Sequence, residues 1–148
     1  MMKEMRVPAI ANGTVIDHIP PNVTLKIVDI LDVHRELLTI GMNLESSKYR
    51  KKGIIKIADK FLTEEETNKI AIIAPTATIN IINDYNQTSK FSPKLPEFVE
   101  GIVRCTNPNC ITNNEQVRTK FWVVDKENIK IKCNYCERVI GRDEIEIK

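Results

Sequence analysis

The segments Cys105-Thr-Asn-Pro-Asn-Cys110 and Cys133-Asn-Tyr-Cys136 contain all four cysteines of this 148-residue chain, with twenty-two residues between them. Two short pairs on separate turns supply the four thiolates of a tetrahedral zinc site. Pro108 and its neighbouring asparagines favour a turn in the first pair. The alternating run Asn128–Lys132 predicts a strand that leads into the second pair. We therefore expect one structural zinc ion per chain, bound by Cys105, Cys110, Cys133 and Cys136.

The same cysteines have two alternative interpretations. Two disulfides would need an oxidising compartment. The N-terminal residues Met1–Arg6 begin no apolar signal segment, so we expect a cytoplasmic protein. A redox-active Cys133–Cys136 pair would leave the first pair without a role. The paired spacing favours zinc, and an all-cysteine site is normally closed to chemistry.

The composition places further bounds on function. The net charge of +2 is too small to indicate a nucleic-acid-binding protein by itself. No apolar run approaches the length of a membrane span. A chain of 148 residues can form one domain or two small ones. We expect neither nucleic acid nor a membrane as a partner.

Upstream of the cysteines, the sequence predicts an α+β fold. Apolar residues recur at helical spacing from Val23 to Leu31, and Thr63 with Glu66 has the pattern of a capping box. The predicted strands are Thr14–Ile19, Leu37–Leu44, Gly53–Ala58, Ala77–Ile82 and Tyr85–Phe91, and the predicted helices are Asn22–Val33 and a segment from Thr63 to Ile73. The order indicates a ferredoxin-like fold, with two helices on one face of an antiparallel sheet.

Two prolines in Ser92–Glu97 predict a linker between domains 1–94 and 99–148. The second domain is expected to be a small all-β zinc-binding unit of the zinc-ribbon or rubredoxin-like kind. Its predicted strands are Gly101–Arg104, Val117–Val124, Asn128–Lys132 and Val139–Ile147. A segment this short cannot bury a self-sufficient core, so it needs the metal.

The sequence contains no convincing catalytic set. His18 and His34 are the only histidines. Asp17 and His18 resemble an acid–base pair, but neighbours on a strand point to opposite faces unless a bulge intervenes. A structural or ligand-contacting role is the better prediction for both.

Five basic residues, Lys48, Arg50, Lys51, Lys52 and Lys56, fall within nine positions that contain no acid. Such a run is usually a solvated hairpin turn. The functional alternative is a site for a polyanion such as a nucleoside triphosphate. The sequence has no glycine-rich phosphate loop, so lysine side chains would have to act as point charges.

Several motifs occur together in a characteristic order. They are Val7–Ile10 (VPAI), Gly13–Pro20 (GTVIDHIP), Ile55–Ile57 (IKI), Ala74–Asn80 (APTATIN), Asp84–Tyr85, Leu95–Pro96 and the four cysteines. In this combination, over nearly the whole length, the chain resembles the regulatory chain of aspartate carbamoyltransferase, which acts in pyrimidine biosynthesis.

This resemblance implies a non-catalytic protein with two functions. Its N-terminal domain would bind CTP, ATP or UTP and pair with a second copy of itself, and its zinc domain would dock on the catalytic chain. The implied base pocket comprises Val7, Ala9, Ile10, Ile54, Ile82 and Tyr85; the ribose contacts are Asp17 and Lys56, with Asn80 nearby; the phosphate contacts are His18, Lys52 and Lys90. Asn107, Asn109, Glu137 and Arg138 correspond to residues that contact the catalytic chain, although ordinary turn chemistry would also explain them.

The sequence departs from the family pattern at two places. Pro8 stands where the family often has a residue with a free N–H, so a contact donated there would be lost. Gln87, Thr88 and Ser89 are more polar than the corresponding family segment. The alternative functions are a zinc-ribbon nucleic-acid-binding protein and, less favoured, a redox enzyme that uses Cys133 and Cys136.

Overall fold

A computed structural model describes residues 9–33, 35–46 and 51–148. Val7, Pro8, His34, Lys48 and Arg50, which the sequence analysis singled out, lie outside the described residues. None of the described helices combines the length and apolarity needed to cross a membrane.

The N-terminal half of the described chain forms a five-stranded antiparallel sheet. The strands are β1 Gly13–Ile19, β2 Leu38–Glu45, β3 Lys51–Ala58, β4 Thr78–Asn83 and β5 Asn86–Phe91. They lie in the order β2-β3-β1-β4-β5, and every neighbouring pair is antiparallel. The first four strands have the predicted ferredoxin-like arrangement, and β5 extends the sheet beside β4.

Two helices connect these strands. The first predicted helix is shorter than expected: a 3₁₀ turn at Pro21–Val23 precedes α1, Thr24–Leu31, and the left-handed conformation of Asp32 ends it. The second helix, α2, spans Glu64–Ile73 and has the predicted capping box. Thr63 Oγ1 accepts a hydrogen bond from Glu66 N at 3.2 Å, and Glu66 Oε1 accepts one from Thr63 N at 2.9 Å.

Isoleucines form the core between the helices and one face of the sheet. Ile16, Ile55, Ile57 and Ile79 are fully buried on the strands and pack with apolar residues of both helices. Helix α1 approaches β3 so closely that a Cβ on Gly53 would lie 2.0 Å from Thr24 Oγ1. This packing leaves the opposite face of the sheet uncovered by the helices.

The C-terminal part is rich in strands but more irregular than predicted. Its strands are β6 Phe98–Glu100, β7 Val103–Arg104, β8 Lys120–Asp125, β9 Lys130–Cys133, β10 Val139–Ile140 and β11 Glu146–Ile147. Four of them form a sheet in the order β10-β9-β8-β6, and β7 pairs with β11. A one-turn helix, α3, spans Ile111–Asn114.

Three predictions for this part were wrong in detail. The expected strand Val139–Ile147 is interrupted by a 3₁₀ turn at Arg142–Glu144, which sends its two ends to different sheets. Strand β6 was not predicted, and Gly101 has a positive φ of 68°, which separates β6 from β7. The expected strand at Val117 begins only at Lys120. In so small a segment, turns around the cysteines leave room only for short strands.

Candidate metal centre and effector surface

The four cysteine sulfurs converge on one point, as the sequence predicts. All four Sγ atoms lie within 4.8 Å of one another. The Sγ atoms of Cys105 and Cys136 are 3.6 Å apart, and those of Cys110 and Cys133 are 3.8 Å apart. Tetrahedral Zn–S bonds of ~2.3 Å place neighbouring sulfurs about 3.8 Å apart, whereas a disulfide needs ~2 Å. The geometry and the donor set fit one zinc ion and leave no position open for a further ligand.

Local hydrogen bonds hold the two turns that carry the cysteines. Asn113 Nδ2 donates to Cys105 O at 2.9 Å, and Asn114 Nδ2 donates to Cys110 O at the same distance. In the second turn, Glu137 N donates to Cys133 O at 3.0 Å, and Glu137 has a positive φ of 63°. In the folded chain, these contacts fix the orientation of the two cysteine turns toward each other.

Burial makes the uncharged thiols the stable form for part of this cluster. It raises the pKa of Cys105 to about 12 and also raises the pKa of Cys133. Burial opposes ionisation at Cys136 as well, but hydrogen bonds from the N–H of Arg138 and the side chain of Asn107 lower the pKa of this thiol to about 7. A divalent cation offsets the repulsion between four thiolates, so metal binding and proton release must be coupled.

Most residues of the expected effector site share the face of the sheet that the helices leave uncovered. Antiparallel pairing puts Lys56 of β3 opposite Val15 of β1, Val15 opposite Asn80 of β4, and Asn80 opposite Lys90 of β5. Residues directly opposite each other point to the same face. Asp17, Lys52, Ile54 and Ile82 follow the same alternation on their strands. We call these residues, with Lys56, Asn80 and Lys90, the open face.

A bulge in β1 brings Asp17 and His18 to this face together. Ile16 and Ile19 are three positions apart, but their partners Ile55 and Gly53 are only two positions apart, and His18 has a positive φ of 57°. The alternation that separates strand neighbours is therefore broken here. Asp17 forms a salt bridge with Lys52 at 3.0 Å, and His18 Nδ1 lies 3.1 Å from Thr78 Oγ1.

Two threonines that the sequence analysis did not select support this bulge. Thr78 lies directly opposite Asp17, and Thr76 Oγ1 donates to His18 O at 3.0 Å. Both belong to the Ala74–Asn80 motif. Their roles could not be assigned from the sequence because threonine is a common residue in strands whatever its contacts.

Four of the residues expected to contact a base, Ala9, Ile10, Ile82 and Tyr85, lie at one end of the open face, whereas Ile54 lies toward the other end, next to Lys52 along β3. Ala9 and Ile10 precede β1, and Tyr85 occupies the turn between β4 and β5. Tyr85 N donates to Ala11 O at 2.8 Å, and Asp84 N donates to Asn12 Oδ1 at 3.1 Å. These bonds hold the segment before β1 against the β4–β5 turn.

The residues expected at the catalytic-chain interface surround the zinc site. Asn109 N donates to Asn107 Oδ1 at 3.0 Å, which is a local turn contact. Arg138 donates to Thr106 Oγ1 at 3.4 Å and links the two cysteine turns. Asn109, Glu137 and Arg138 are exposed, and Asn107 is half-buried. Their positions are compatible with both docking and turn formation, so their role stays a prediction.

The fold and the four-thiol centre define a metal-binding α+β protein. Two family models match the chain: the allosteric domain of the aspartate carbamoyltransferase regulatory chain matches residues 5–94, and the metal binding domain of the same chain matches residues 97–146. The chain therefore belongs to the aspartate carbamoyltransferase regulatory chain family and is a non-catalytic, regulatory protein, as the sequence predicts.

Similarity to individual proteins of this family supports the same assignment. Proteins named aspartate carbamoyltransferase regulatory chain are 50% identical in Thermococcus onnurineus and 49% identical in Pyrococcus abyssi, and each alignment covers 97% of both chains. A relative of the same name from Parabacteroides distasonis is 49% identical over 99% of this chain and 96% of its own length.

Proposed function

We propose that this chain binds the nucleotides CTP, ATP and UTP on the open face and changes the response of an aspartate carbamoyltransferase catalytic chain to its substrate. The observation that carries the proposal is the row Lys56–Val15–Asn80–Lys90, which runs across four neighbouring strands. It puts two cations and an amide on one surface of a chain whose family model is described as allosteric.

The dimensions of the open face support a nucleoside triphosphate. Neighbouring strands are about 4.8 Å apart, so the backbones at Lys56 and Lys90 are separated by roughly 14 Å. That distance lets the lysines contact different parts of one extended ligand. Asn80 Nδ2 donates to Val15 O at 3.2 Å, which fixes the amide between them. Lysine side chains bind phosphate as point charges and need no glycine-rich loop.

The charges around His18 suit the phosphate end of such a ligand. Lys52 is held by Asp17 at 3.0 Å, and both side chains are only 21% exposed. A phosphate group that approaches Lys52 would compete with Asp17 for the same ammonium group. Occupancy of the site would therefore weaken the salt bridge between Lys52 and Asp17. Because Asp17 lies in the β1 bulge, the conformation of the bulge would respond to the ligand.

We propose self-association through the edge of the sheet at β2. Leu25 on α1 is 55% exposed, Leu37 just before β2 is 78% exposed, and Ile40 and Met42 within β2 are 38% and 39% exposed. Strand β2 is the last strand in the described order of its sheet, so its outer edge can pair with a second copy. A charge at Ile40 or Met42 would oppose this pairing. Sedimentation of Met42→Lys, with Lys148→Ala as the control variant, would measure the loss of dimer.

The zinc site is proposed to stiffen a surface that docks on the catalytic chain. Asn107, Asn109, Glu137 and Arg138 would contribute to that surface. We further propose that the two functions divide between residues 1–94 and 99–148, joined by the proline-containing segment, in a cytoplasmic protein. Rigid-body rotation about that joint is one way to transmit occupancy from one unit to the other.

The test is reconstitution of the full chain with its catalytic chain, followed by aspartate saturation curves with and without CTP, ATP or UTP. We expect nucleotide-dependent curves and no carbamoyl transfer by the regulatory chain alone. Coupling between binding sites is reciprocal and typically about 1–3 kcal/mol. A bisubstrate analogue on the catalytic chain should therefore change nucleotide affinity by the same factor. Curves that superimpose in an assembled complex would reject the regulatory proposal.

A further inference from the structure

A cleft of about 480 Å³ lies between the first turn of α2 and the start of the C-terminal part. Pro96 of the proline-containing joint lines this cleft, so rotation about the joint would change its width. Arg118 is the only cation among the described residues that line it. The other charged lining residues are four glutamates, Glu64, Glu65, Glu97 and Glu100. We call this space the joint cleft.

Arg118 is attached to the C-terminal part by weak contacts. Its Nε atom lies 3.8 Å from Glu100 Oε2, and its Nη2 atom donates to Glu100 O at 3.3 Å. The side chains of Arg118 and Glu100 are 68% and 44% exposed. An ion pair this long and this exposed contributes little to stability, so the guanidinium group can leave Glu100 at small cost.

The backbone leaves room for the Arg118 side chain to lie in the cleft. Gly101 has a positive φ of 68°, and a Cβ atom at this position would lie 3.0 Å from Arg118 Nε. The side chain therefore passes close to the turn between β6 and β7. Arg118 and Glu65 also line a second cavity of about 640 Å³, which adjoins the joint cleft. The two residues thus face the same space from the two parts of the chain.

The first turn of α2 presents carboxylates that have no counter-charge in the described part of the chain. Glu66 is bound to Lys60 at 3.3 Å and accepts a hydrogen bond from Thr63 N at 2.9 Å. Glu64 and Glu65 are exposed and form no salt bridge with the described residues. Narrowing of the cleft would bring them toward the glutamates of the opposite wall, and like charges repel unless a cation lies between them.

We propose that Arg118 is an ionic latch between the two parts of the chain. In the orientation that the structure shows, its guanidinium group contacts Glu100. When the joint cleft narrows, the group binds Glu64 or Glu65 and offsets the repulsion across the cleft. A guanidinium group suits this role because its planar set of donors can bind two carboxylates at once.

This inference rests on the proposed function, because it names a contact that rotation about the joint would make and break. Arg118 would favour one orientation of the two parts. It would thereby set how strongly nucleotide occupancy affects the catalytic chain.

Lys148 is the alternative cation for the same carboxylates. It lines the second cavity together with Glu65, but it does not line the joint cleft. Arg118 lines both cavities and therefore stays beside α2 whichever of them narrows. A test of the latch must distinguish these two cations.

The first experiment tests the contact in the full chain alone. Arg118→Lys keeps the positive charge and supplies an amine that a carbodiimide couples to a carboxylate in direct contact. Mass spectrometry of the resulting peptides identifies the partner. We expect products that join position 118 to Glu64 or Glu65 as well as to Glu100. Arg104→Lys, on β7 opposite Glu146, is the matched control and should give no product with α2.

Two results of this coupling would overturn the proposal. One is a product between position 118 and Glu100 alone, with and without CTP or ATP. The other is a set of products that joins α2 to Lys148 and never to position 118.

The second experiment measures regulation in the complex with the catalytic chain. Arg118→Gln and the pair Glu64→Gln/Glu65→Gln, separately and combined, are compared by the factor with which CTP changes the half-saturating aspartate concentration. We expect each set to change this factor by up to about fivefold, the range of an exposed ion pair. The combined variant should change it no further, because both sets remove the same contact.

The controls separate a latch from a general loss of structure. Zinc content and the nucleotide affinity of the chain alone should stay as in the unaltered chain, and Arg104→Gln should respond to CTP as the unaltered chain does. Effects of Arg118→Gln and Glu64→Gln/Glu65→Gln that simply add would overturn the proposal.

Failure of the broader proposal gives a different result. If the assembled complex does not respond to nucleotides, the regulatory proposal is rejected, and the coupling products of Arg118→Lys still decide whether Arg118 reaches α2. If the complex responds to nucleotides and position 118 couples to Glu100 alone, only the latch is rejected.

Discussion

The five-stranded sheet and the cysteine segment differ in the types of residue that they bury. Beneath the helices, the buried hydrophobic residues of the sheet strands are all isoleucines, among them Ile16, Ile55 and Ile79. In the cysteine segment, residues 97–148, Cys105, Cys110 and Cys133 share the interior with Phe121 and seven buried aliphatic residues. The packing of the sheet depends on apolar area, and we expect the cysteine segment to depend in addition on a metal bound by its four thiolates.

This difference has consequences for function. An apolar core responds to a small change by repacking, so a sheet that binds nucleotide on its open face can adjust its strands. A metal centre is either occupied or lost, so a docking surface built around zinc keeps one shape. The proposed division of labour places the adaptable region at the effector and the stiff region at the catalytic chain.

The largest effect should follow loss of a zinc ligand. Cys133→Ser is expected to release the metal and unfold the cysteine segment while residues up to about Pro93 stay folded, because structural zinc in small domains contributes about 10–16 kcal/mol. Metal analysis and amide hydrogen exchange measure both parts. Tyr135→Phe, between Cys133 and Cys136, is the control that keeps all four ligands. Protection of the cysteine segment without metal would contradict the contrast between the two cores.

The reciprocal change targets the apolar core. Ile55→Ala should lower the free energy of unfolding of the sheet by about 2–5 kcal/mol because Ile55 is fully buried. Ile54→Ala, one residue away on the open face, should cost less. Denaturant titration with zinc content measured in parallel tests this. The contrary outcome is that the Ile55→Ala variant loses zinc at a denaturant concentration at which the cysteine segment of the unaltered chain stays folded. That result would show that the two regions unfold as one cooperative unit.

The next prediction concerns the open face rather than either core. Lys56→Ala and Lys90→Ala should each weaken CTP or ATP binding by about 1.5–3 kcal/mol if the phosphate contact is charge-assisted and desolvated. Isothermal titration of the full chain measures the change. Lys148→Ala, at the far end of the chain, is the charge-matched control. Equal nucleotide affinities for all three variants would reject the assignment of Lys56 and Lys90 to the nucleotide site.

A smaller effect is expected at the start of α2. Thr63→Ala removes the hydrogen bond from Glu66 N to Thr63 Oγ1 and should cost about 1 kcal/mol of stability. Thermal or denaturant unfolding provides the measurement, and Thr67→Ala in the same helix serves as the comparison. If Thr63→Ala is as stable as the unaltered chain, the capping box contributes nothing to the stability of the fold.

The smallest effect is a dependence of stability on pH through Glu66. Burial opposes its ionisation, but the hydrogen bond from Thr63 N and the interaction with Lys60 at 3.3 Å together lower the pKa of Glu66 below 4.5. The folded state therefore binds the proton less tightly than the unfolded state. The stabilisation is present above the unfolded pKa and is lost as the pH falls through the lower, folded pKa. The stability difference between the unaltered chain and Glu66→Gln should shrink on acidification, and a constant difference would exclude this linkage.

Several features could be read directly from the sequence because they depend on neighbours in the chain. The capping box needs only Thr63 and Glu66, and the paired spacing of the cysteines predicts a metal site before any fold is known. Short runs of strand-forming residues predicted the five strands of the first sheet to within two residues at each end. Even here, the 3₁₀ turn at Pro21–Val23 shortened the predicted helix, because consecutive prolines restrict the backbone locally.

Composition, spacing and periodicity therefore determined the α+β class, the ferredoxin-like order and the zinc ligands. Only the tertiary structure decided that Lys56, Asn80 and Lys90 form one row, that a bulge turns Asp17 and His18 to the same face, and that Phe98 meets Trp122. The physical reason is register. A strand displaced by one residue exposes its other face, and the register is set by packing between segments that are distant in the chain.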